Sequence, residues 1–432
     1  MVINIELPDR WKTVNLGDVL SYIGNGLTNK QNKANDGYPV TRIETISDDC
    51  INAEKVGYVD ILTNDKIEKY RLYYGDVLIS HINSEPQLGR AVIYEGKPEF
   101  LLHGMNLLRM RADTKTLDPF FLNLIFKFYR SRGVFIALAS RAVGQASINQ
   151  SRMKSLMIPL PPLPEQRTIA HVLQTIQEAK FTRQREIALE RERKAALMDF
   201  LFSHGTKGEP RKQTEIGEIP ESWGVVSLGD IADITYGVQA AVAHLLDESV
   251  GLPILTNINI TLNGTFDLST LRYYELPEDK KDKLILKKGD LLFNWRSGSQ
   301  HHVGKTVLFD LDGEYTFSSF ILRFRFAEKI SNIFAFHYFH YLREKGFFVL
   351  KRSQSSVNSV FNASKSAKIP VVVPSIEEQL EIGGALQTCD IKIAALEKEA
   401  QHIDELFHTM LDELMTGQRS AVPLIDQAGL KS

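Results

Sequence analysis

Leu7-Pro8-Asp9-Arg10-Trp11 followed by Leu16-Gly17-Asp18-Val19 returns as Ile219-Pro220-Glu221-Ser222-Trp223 followed by Leu228-Gly229-Asp230-Ile231, 212 positions later in a chain of 432 residues. Further matches arrive in the same order. Gly75-Asp76-Val77-Leu78 pairs with Gly289-Asp290-Leu291-Leu292, Leu108-Arg109-Met110-Arg111 with Leu322-Arg323-Phe324-Arg325, and Glu165-Gln166 with Glu378-Gln379, at offsets of 212 to 214. Solenoids and propellers repeat every 20 to 50 residues, so a period of half the chain means two whole domains of one kind. A two-headed chain suits a target with two similar parts.

Each half is long enough to bury a core of its own, and 43% hydrophobic with 24% charged residues is ordinary globular composition. No run approaches 18 apolar residues, and Met1-Val2-Ile3-Asn4-Ile5-Glu6 lacks the basic start of a signal peptide. The expectation is a cytoplasmic chain without a membrane partner. Cys50 and Cys389 are far apart and lack neighbours at metal spacing, so both read as small buried residues.

A net charge of −2 argues at first against a nucleic-acid partner. Its distribution argues the other way. From Pro119 to Pro164 there is no Asp or Glu, while Lys127, Arg130, Arg132, Arg141, Arg152 and Lys154 are present. The second copy has Lys345, Lys351, Arg352, Lys365 and Lys368 between Lys345 and Ile376, again without an acid. Solvated surface charge usually mixes signs, so equivalent basic segments in both copies point to DNA.

Short apolar runs after turn signals, Val77-Leu78-Ile79 and Leu291-Leu292-Phe293, predict strands of a mixed sheet. An aromatic-rich core helix follows in each copy, around Phe120–Phe126 and Ile333–Phe339. Next comes a polar loop, Gly144-Gln145-Ala146-Ser147-Ile148-Asn149 matched to Ser353-Gln354-Ser355-Ser356-Val357-Asn358. Prolines 159, 161, 162 and 164, and in the second copy 370 and 374, predict an extended stiff link.

A long helix should start directly after each link, from Glu165 to about Ser203 and from Glu377 to about Thr416, with only Gly383-Gly384 interrupting good helix formers. In the second helix Ile382, Leu386, Cys389, Ile393, Leu396, Ala400, Ile403, Phe407, Met410 and Leu414 alternate spacings of four and three, a heptad seam. The first keeps that spacing at Leu173, Ile176, Lys180, Arg183, Ile187, Glu190, Lys194, Leu197 and Leu201, with charges in the middle. It should therefore pair with the second helix, Lys and Arg stems covering apolar surface. About 38 helical residues span roughly 57 Å. Antiparallel packing would set the two heads at opposite ends about an approximate internal two-fold axis.

Motifs for catalysis fail on inspection. Ser299 to Thr306 approaches a phosphate-binding loop, but Ser299 stands where Gly is required and a strand follows. His337 and His340 share a helix face among aromatic residues and read as core. No nucleophile elbow, amino-methyltransferase motif or glycine-rich cofactor loop is present.

The duplicated order, with Thr214-Glu215-Ile216-Gly217-Glu218-Ile219-Pro220-Glu221-Ser222-Trp223 and Ile158-Pro159-Leu160-Pro161-Pro162-Leu163-Pro164-Glu165-Gln166-Arg167, resembles the specificity subunit of type I restriction-modification systems over essentially the whole chain. The second link, Ile369 to Gln379, departs by lacking the double proline. The resemblance implies an α+β fold with target recognition domains at 1–162 and 219–374, long spacer helices at 163–204 and 375–417, a linker at 205–218 and a tail at 418–432. It implies double-stranded DNA as target, two methyltransferase subunits that modify adenine N6, and motor-nuclease subunits. S-adenosylmethionine, ATP and Mg belong to those partners, with no cofactor held by this chain. Each domain would read half of a bipartite site, half-sites lying about one helical turn, roughly 34 Å, apart.

The candidate DNA contacts are Gln145 and Asn149 with Gln354 and Asn358, whose amides can bond adenine edges, and Arg141, Arg152, Arg352 and Lys365 for phosphate or guanine. Ser147 and Ser356 are assigned matching positions as phosphate contacts; Arg90, Lys305, Arg42 and Arg296 complete the set. A coiled-coil adaptor whose heads hold proteins, or a self-sufficient methyltransferase, are the alternatives. The basic segments argue against the first and the missing motifs against the second.

Overall fold

In the computed structural model, residues 6–32, 36–46, 50–60, 62–142, 145–239, 251–297, 302–350 and 359–425 are described, with backbone alone at 141, 142, 145, 349, 350, 359 and 360. The chain divides into two units. One comprises Met1–Arg183 with Glu399–Ser432, the other Gln184–Lys398. Each long helix therefore gives one end to each unit.

The first unit is built on a four-stranded antiparallel sheet in the order Leu20–Asn25, Leu107–Ala112, Val77–Ser80, Ala91–Ile93. Val77–Ser80 is buried throughout, so it reads as a continuous apolar run rather than an alternating one. The helix Pro119–Ser131 covers one face, its N-terminus capped by Asp118, whose carboxylate accepts from the Phe120 and Phe121 amides. Met157–Leu160 pairs with Lys12–Asn15, so the predicted proline link is a strand of the domain. Pro159 tolerates this because the ladder has two strands and each is an edge.

The second unit repeats this order with Ala232–Tyr236, Ile321–Phe326, Leu291–Asn294 and Thr306–Leu308. Asn332–Glu344 covers the sheet, and Pro370–Val373 pairs with Gly224–Ser227. A hairpin of Arg211–Thr214 with Gly217–Pro220 joins the segment expected as a linker, 205–218, to the start of the second domain.

The duplicated motifs prove to be the frame. Asp76 accepts two bonds from Arg111, at 2.7 and 2.8 Å, and Asp290 two from Arg325, both at 2.7 Å. Arg109 donates to the carbonyls of Lys69 and Arg71, and Arg323 to the Lys283 carbonyl. Gln166 accepts from the Asp118 amide and donates to the carbonyls of Thr116 and Pro161. Gln379 repeats all three bonds with Ser331, Lys329 and Pro374. A buried amide with three backbone partners fixes where each long helix leaves its domain.

The helices run Leu163–His204 and Ile376–Met415. Leu173, Ile187, Leu201, Ile382, Leu386, Ile393, Leu396, Phe407 and Leu414 are buried, with Ile176, Leu197, Ile403 and Met410 partly so. Gly383-Gly384 does not break the second helix. A Cβ on Gly383 would come within 3.1 Å of Ile333, so the glycine lets two helices approach closely. In the first unit Lys180 pairs with Asp404 and Arg183 with Glu399; in the second Glu190 pairs with Lys392 and Lys194 with Asp390. Partner numbers fall as helix numbers rise, so the helices pair antiparallel in each unit, and the charged seam positions are ion-paired.

The helix ends belong to the domain cores. Phe407, Leu411, Leu414, Met415 and even Ala421, in the segment expected as a tail, join the core around Trp11; Met198, Leu201 and Phe202 join the core around Trp223. Met198-Asp199-Phe200-Leu201 thereby matches Leu411-Asp412-Glu413-Leu414. Asp199 pairs with Lys345, and Asp412 with Arg132, both 213 positions apart across the repeat. Each long helix thus supplies the equivalent Asp to the unit in which it ends. Cys389 is buried as expected, but Cys50 is exposed.

Candidate nucleic-acid interface

In the first unit a two-residue strand, Ile82–Asn83, continues beyond the central strand and pairs with Gln145–Ser147, which pairs in turn with Ser140–Ala142. The second unit has Arg296–Ser297 paired with Ser359–Val360. The region expected as a polar loop in the first copy is therefore a strand. It becomes one because Ile82–Asn83 offers an open edge. The turn Gly104-Met105-Asn106 of the first unit matches Ser318-Ser319-Phe320 of the second at an offset of 214. Asn106 has φ 68, a left-handed conformation that Asn tolerates better than most residues.

Register corrects the sequence matching. Ser147 faces Ile82 and Val360 faces Arg296, so Ser147 corresponds to Val360 and not to Ser356. Asn149 corresponds to Asn362, because each caps a short helix by accepting from the amide three residues on, Arg152 at 2.8 Å and Lys365 at 2.9 Å. The Asn149 oxygen is committed to that cap, and bidentate bonding to adenine would require giving it up. Sequence matching slipped because the polar residues of this segment are alike, whereas strand register is not visible in composition.

Of the remaining candidates, Gln354, Ser356, Asn358 and Arg352 lie outside the described residues, and Arg141 and Gln145 are described by backbone alone. Ser147 is half-buried. Arg152 is exposed but donates to the Leu138 carbonyl and the Ser140 hydroxyl, at 2.9 and 2.7 Å. Arg42 is half-buried and its Nε donates to Gln31. Arg90 is half-buried beside a groove shared with Lys127 and Arg130. Lys365 and Arg296 are exposed. Lys305 is a correction: its side chain is buried and its ammonium donates to the carbonyls of Asn257 and Ile260, while burial lowers its pKa. It ties a loop down.

The basic segments are acid-free only along the chain. Arg132 and Lys345 find their acids, Asp412 and Asp199, on the long helices. His337 and His340 are buried, and desolvation lowers both pKa values, His340 to about 3. Among the described residues no group of three or more His, Cys, Asp or Glu is placed to hold a metal ion. No helix of the described residues is long and apolar enough to cross a membrane.

Residues that sequence reading missed sit at the tips. Met105 and Phe320 are 45% and 40% exposed, unusual for large apolar side chains on a turn. Their signal was available: each follows or precedes a strand that repeats, at a point where the two copies diverge.

Two segments of the chain, residues 8–191 and 220–405, match the model of the type I restriction modification DNA specificity domain. The chain belongs to that family. It is 34% identical over 424 residues to the putative type I restriction enzyme MjaX specificity subunit of Methanocaldococcus jannaschii, covering 96% of this chain and 94% of that one. The MjaVIII specificity subunit of the same organism is 25% identical over 428 residues, with the same coverage. The fold is similar to the crystal structure of a type I restriction-modification S subunit from M. genitalium, with a TM-score of 0.61 at 16% identity over 96% of this chain and 98% of that one. The matched segments include the first stretch of each long helix, so the family's unit is a domain with its rod.

Proposed function

We propose that this chain supplies DNA sequence specificity to a type I restriction-modification complex, each unit reading one half of a bipartite site. Two modification subunits would methylate adenine with S-adenosylmethionine, and motor-nuclease subunits would use ATP and Mg. The chain itself would position DNA and bind no cofactor. The observation that carries the reading is one frame built twice with different tips: Ile82, Asn83, Met105 and Asn106 in one unit, Arg296, Ser297, Ser319 and Phe320 in the other. Similar frames holding different side chains are what two different half-sites require.

The test is the host's adenine methylation map with and without this gene. Loss of one bipartite motif is expected; an unchanged map would remove the reading. Methylation by the purified chain alone would overturn its non-catalytic role. Deleting one heptad from each long helix should change the gap between half-sites, and an unchanged gap would mean the helices do not set it. Gln145→Ala should weaken recognition while assembly persists.

A further inference from the structure

Trp295 and Ser319 hold the tip of the second unit together. The Trp295 indole N–H donates to the Ser319 carbonyl at 2.7 Å. Its ring meets Tyr236 edge-on, centroids 5.5 Å apart, and the Tyr236 hydroxyl accepts from the Ala363 amide at 2.8 Å. The next residue after each clamped position points outward: Arg296 after Trp295, by strand alternation, and Phe320 after Ser319. The Arg296 guanidinium lies 5.7 Å from the centre of the exposed Phe320 ring, within cation–π range. Arg323 and Arg325 are engaged by Asp233 and Asp290, whereas no carboxylate among the described residues pairs with Arg296. A planar cation supported by a ring, on a backbone fixed from behind, is a preorganised reader.

The first unit shows that the device is optional to the frame. His81, buried, occupies the Trp295 position, so the first unit keeps a ring there without the indole bond to the turn. Its outward residues are Ile82 and Asn106, both neutral.

We propose that Arg296 and Phe320 are the specificity-determining pair of the second unit: the guanidinium bonds the O6 and N7 edge of one guanine in the major groove, and the Phe320 ring contacts the methyl of a neighbouring thymine. This rests on the reading that the chain recognises duplex DNA. A bidentate Arg–guanine pair and an apolar contact to a thymine methyl are the contacts these side chains make best. The first unit, lacking the pair, reads its half-site without that guanine contact.

The experiment replaces the chromosomal gene with Arg296→Ala, Arg296→Lys or Phe320→Ala, and maps adenine methylation at all genomic sites. Arg296→Ala should relax a single G·C pair in one half-site, discrimination there falling about 10- to 100-fold, with the other half-site and the gap unchanged. Arg296→Lys should fail to restore it, because an ammonium cannot make the bidentate fork. Phe320→Ala should relax the adjoining pair. A wild-type map with Arg296→Lys would make Arg296 a phosphate contact and overturn the assignment, as would a wild-type map with Arg296→Ala. If deleting the whole gene left the map unchanged, the DNA reading itself would fall, and the pair with it.

Discussion

The two units share a skeleton, and two of the places where they differ are the tip and the anchor. At the tip, His81, Ile82 and Asn106 stand where Trp295, Arg296 and Phe320 stand. At the anchor, Glu165 accepts from Arg10 and from the Trp11 indole, whereas Glu378 accepts from the Thr206 amide and faces Lys207. Residues that repeat, the Asp–Arg pairs and the two glutamines, are spent on internal bonds. What a repeated sequence preserves here is the holder. What it lets vary is what is held.

The largest test of that equivalence is Arg325→Ala. It leaves the Asp290 carboxylate buried without its counter-charge, a loss of about 3 kcal/mol, and hydrogen exchange should rise across Leu291–Asn294 while Val77–Ser80 stays protected. Arg111→Ala should cost about as much, because Asp76 is as buried as Asp290 and loses the same two bonds. Clearly unequal losses would break the equivalence of the two frames. Gln166→Ala and Gln379→Ala each strand three backbone groups, at about 2 kcal/mol apiece. Because the bonds are the same in both units, clearly unequal protection losses at the two helix starts would show that the frames are not equivalent.

The anchor gives a smaller and opposite expectation. Trp11 Nε1 donates to Glu165 at 3.2 Å, while among the described residues the buried Trp223 indole N–H has no acceptor. Both Trp11→Phe and Trp223→Phe lose packing in a core, and Trp11→Phe should cost about 1 kcal/mol more because it alone also loses a hydrogen bond. Equal denaturant shifts in the two variants would refute the difference. These two tryptophans began as the clearest mark of the duplication, yet they are held differently.

That contrast shows what the sequence made legible. Strands after Gly75-Asp76 and Gly289-Asp290, the aromatic helices and both rods follow from periodicity, because burial imposes a period on apolar residues. The pairing of Ile82–Asn83 with Gln145–Ser147 does not, since two-residue strands carry no period and their register is set by the partner. For the same reason the polar segments were matched four residues out of step, and Asn362 was passed over. Lys305 looked available because burial of a lysine by two carbonyls leaves no trace in the chain. Phe320 lay in plain view, but only the bond from Trp295 to Ser319 explains why an exposed ring there is held still.

The charged middle of the first long helix offers the finest test. Its heptad positions Lys180, Arg183, Glu190 and Lys194 read as a weak seam, and in each unit the opposing helix answers with Asp404 and Glu399, or Lys392 and Asp390. These pairs are partly exposed, so each contributes little, and the contribution shrinks with salt as the Debye length falls to about 3 Å at 1 M. Asp390→Asn should therefore loosen the helix amides near Lys194 at low salt and have little effect at high salt. Lys194→Leu should behave differently. Lys194 is only 17% exposed along its side chain, so leucine would extend the apolar seam, and the helix pair should lose its salt dependence there without losing protection. If instead Lys194→Leu unravelled the pair at every salt concentration, the ions would be holding the register and the apolar seam would not suffice; that outcome would move the determinant of helix register from hydrophobic spacing to charge.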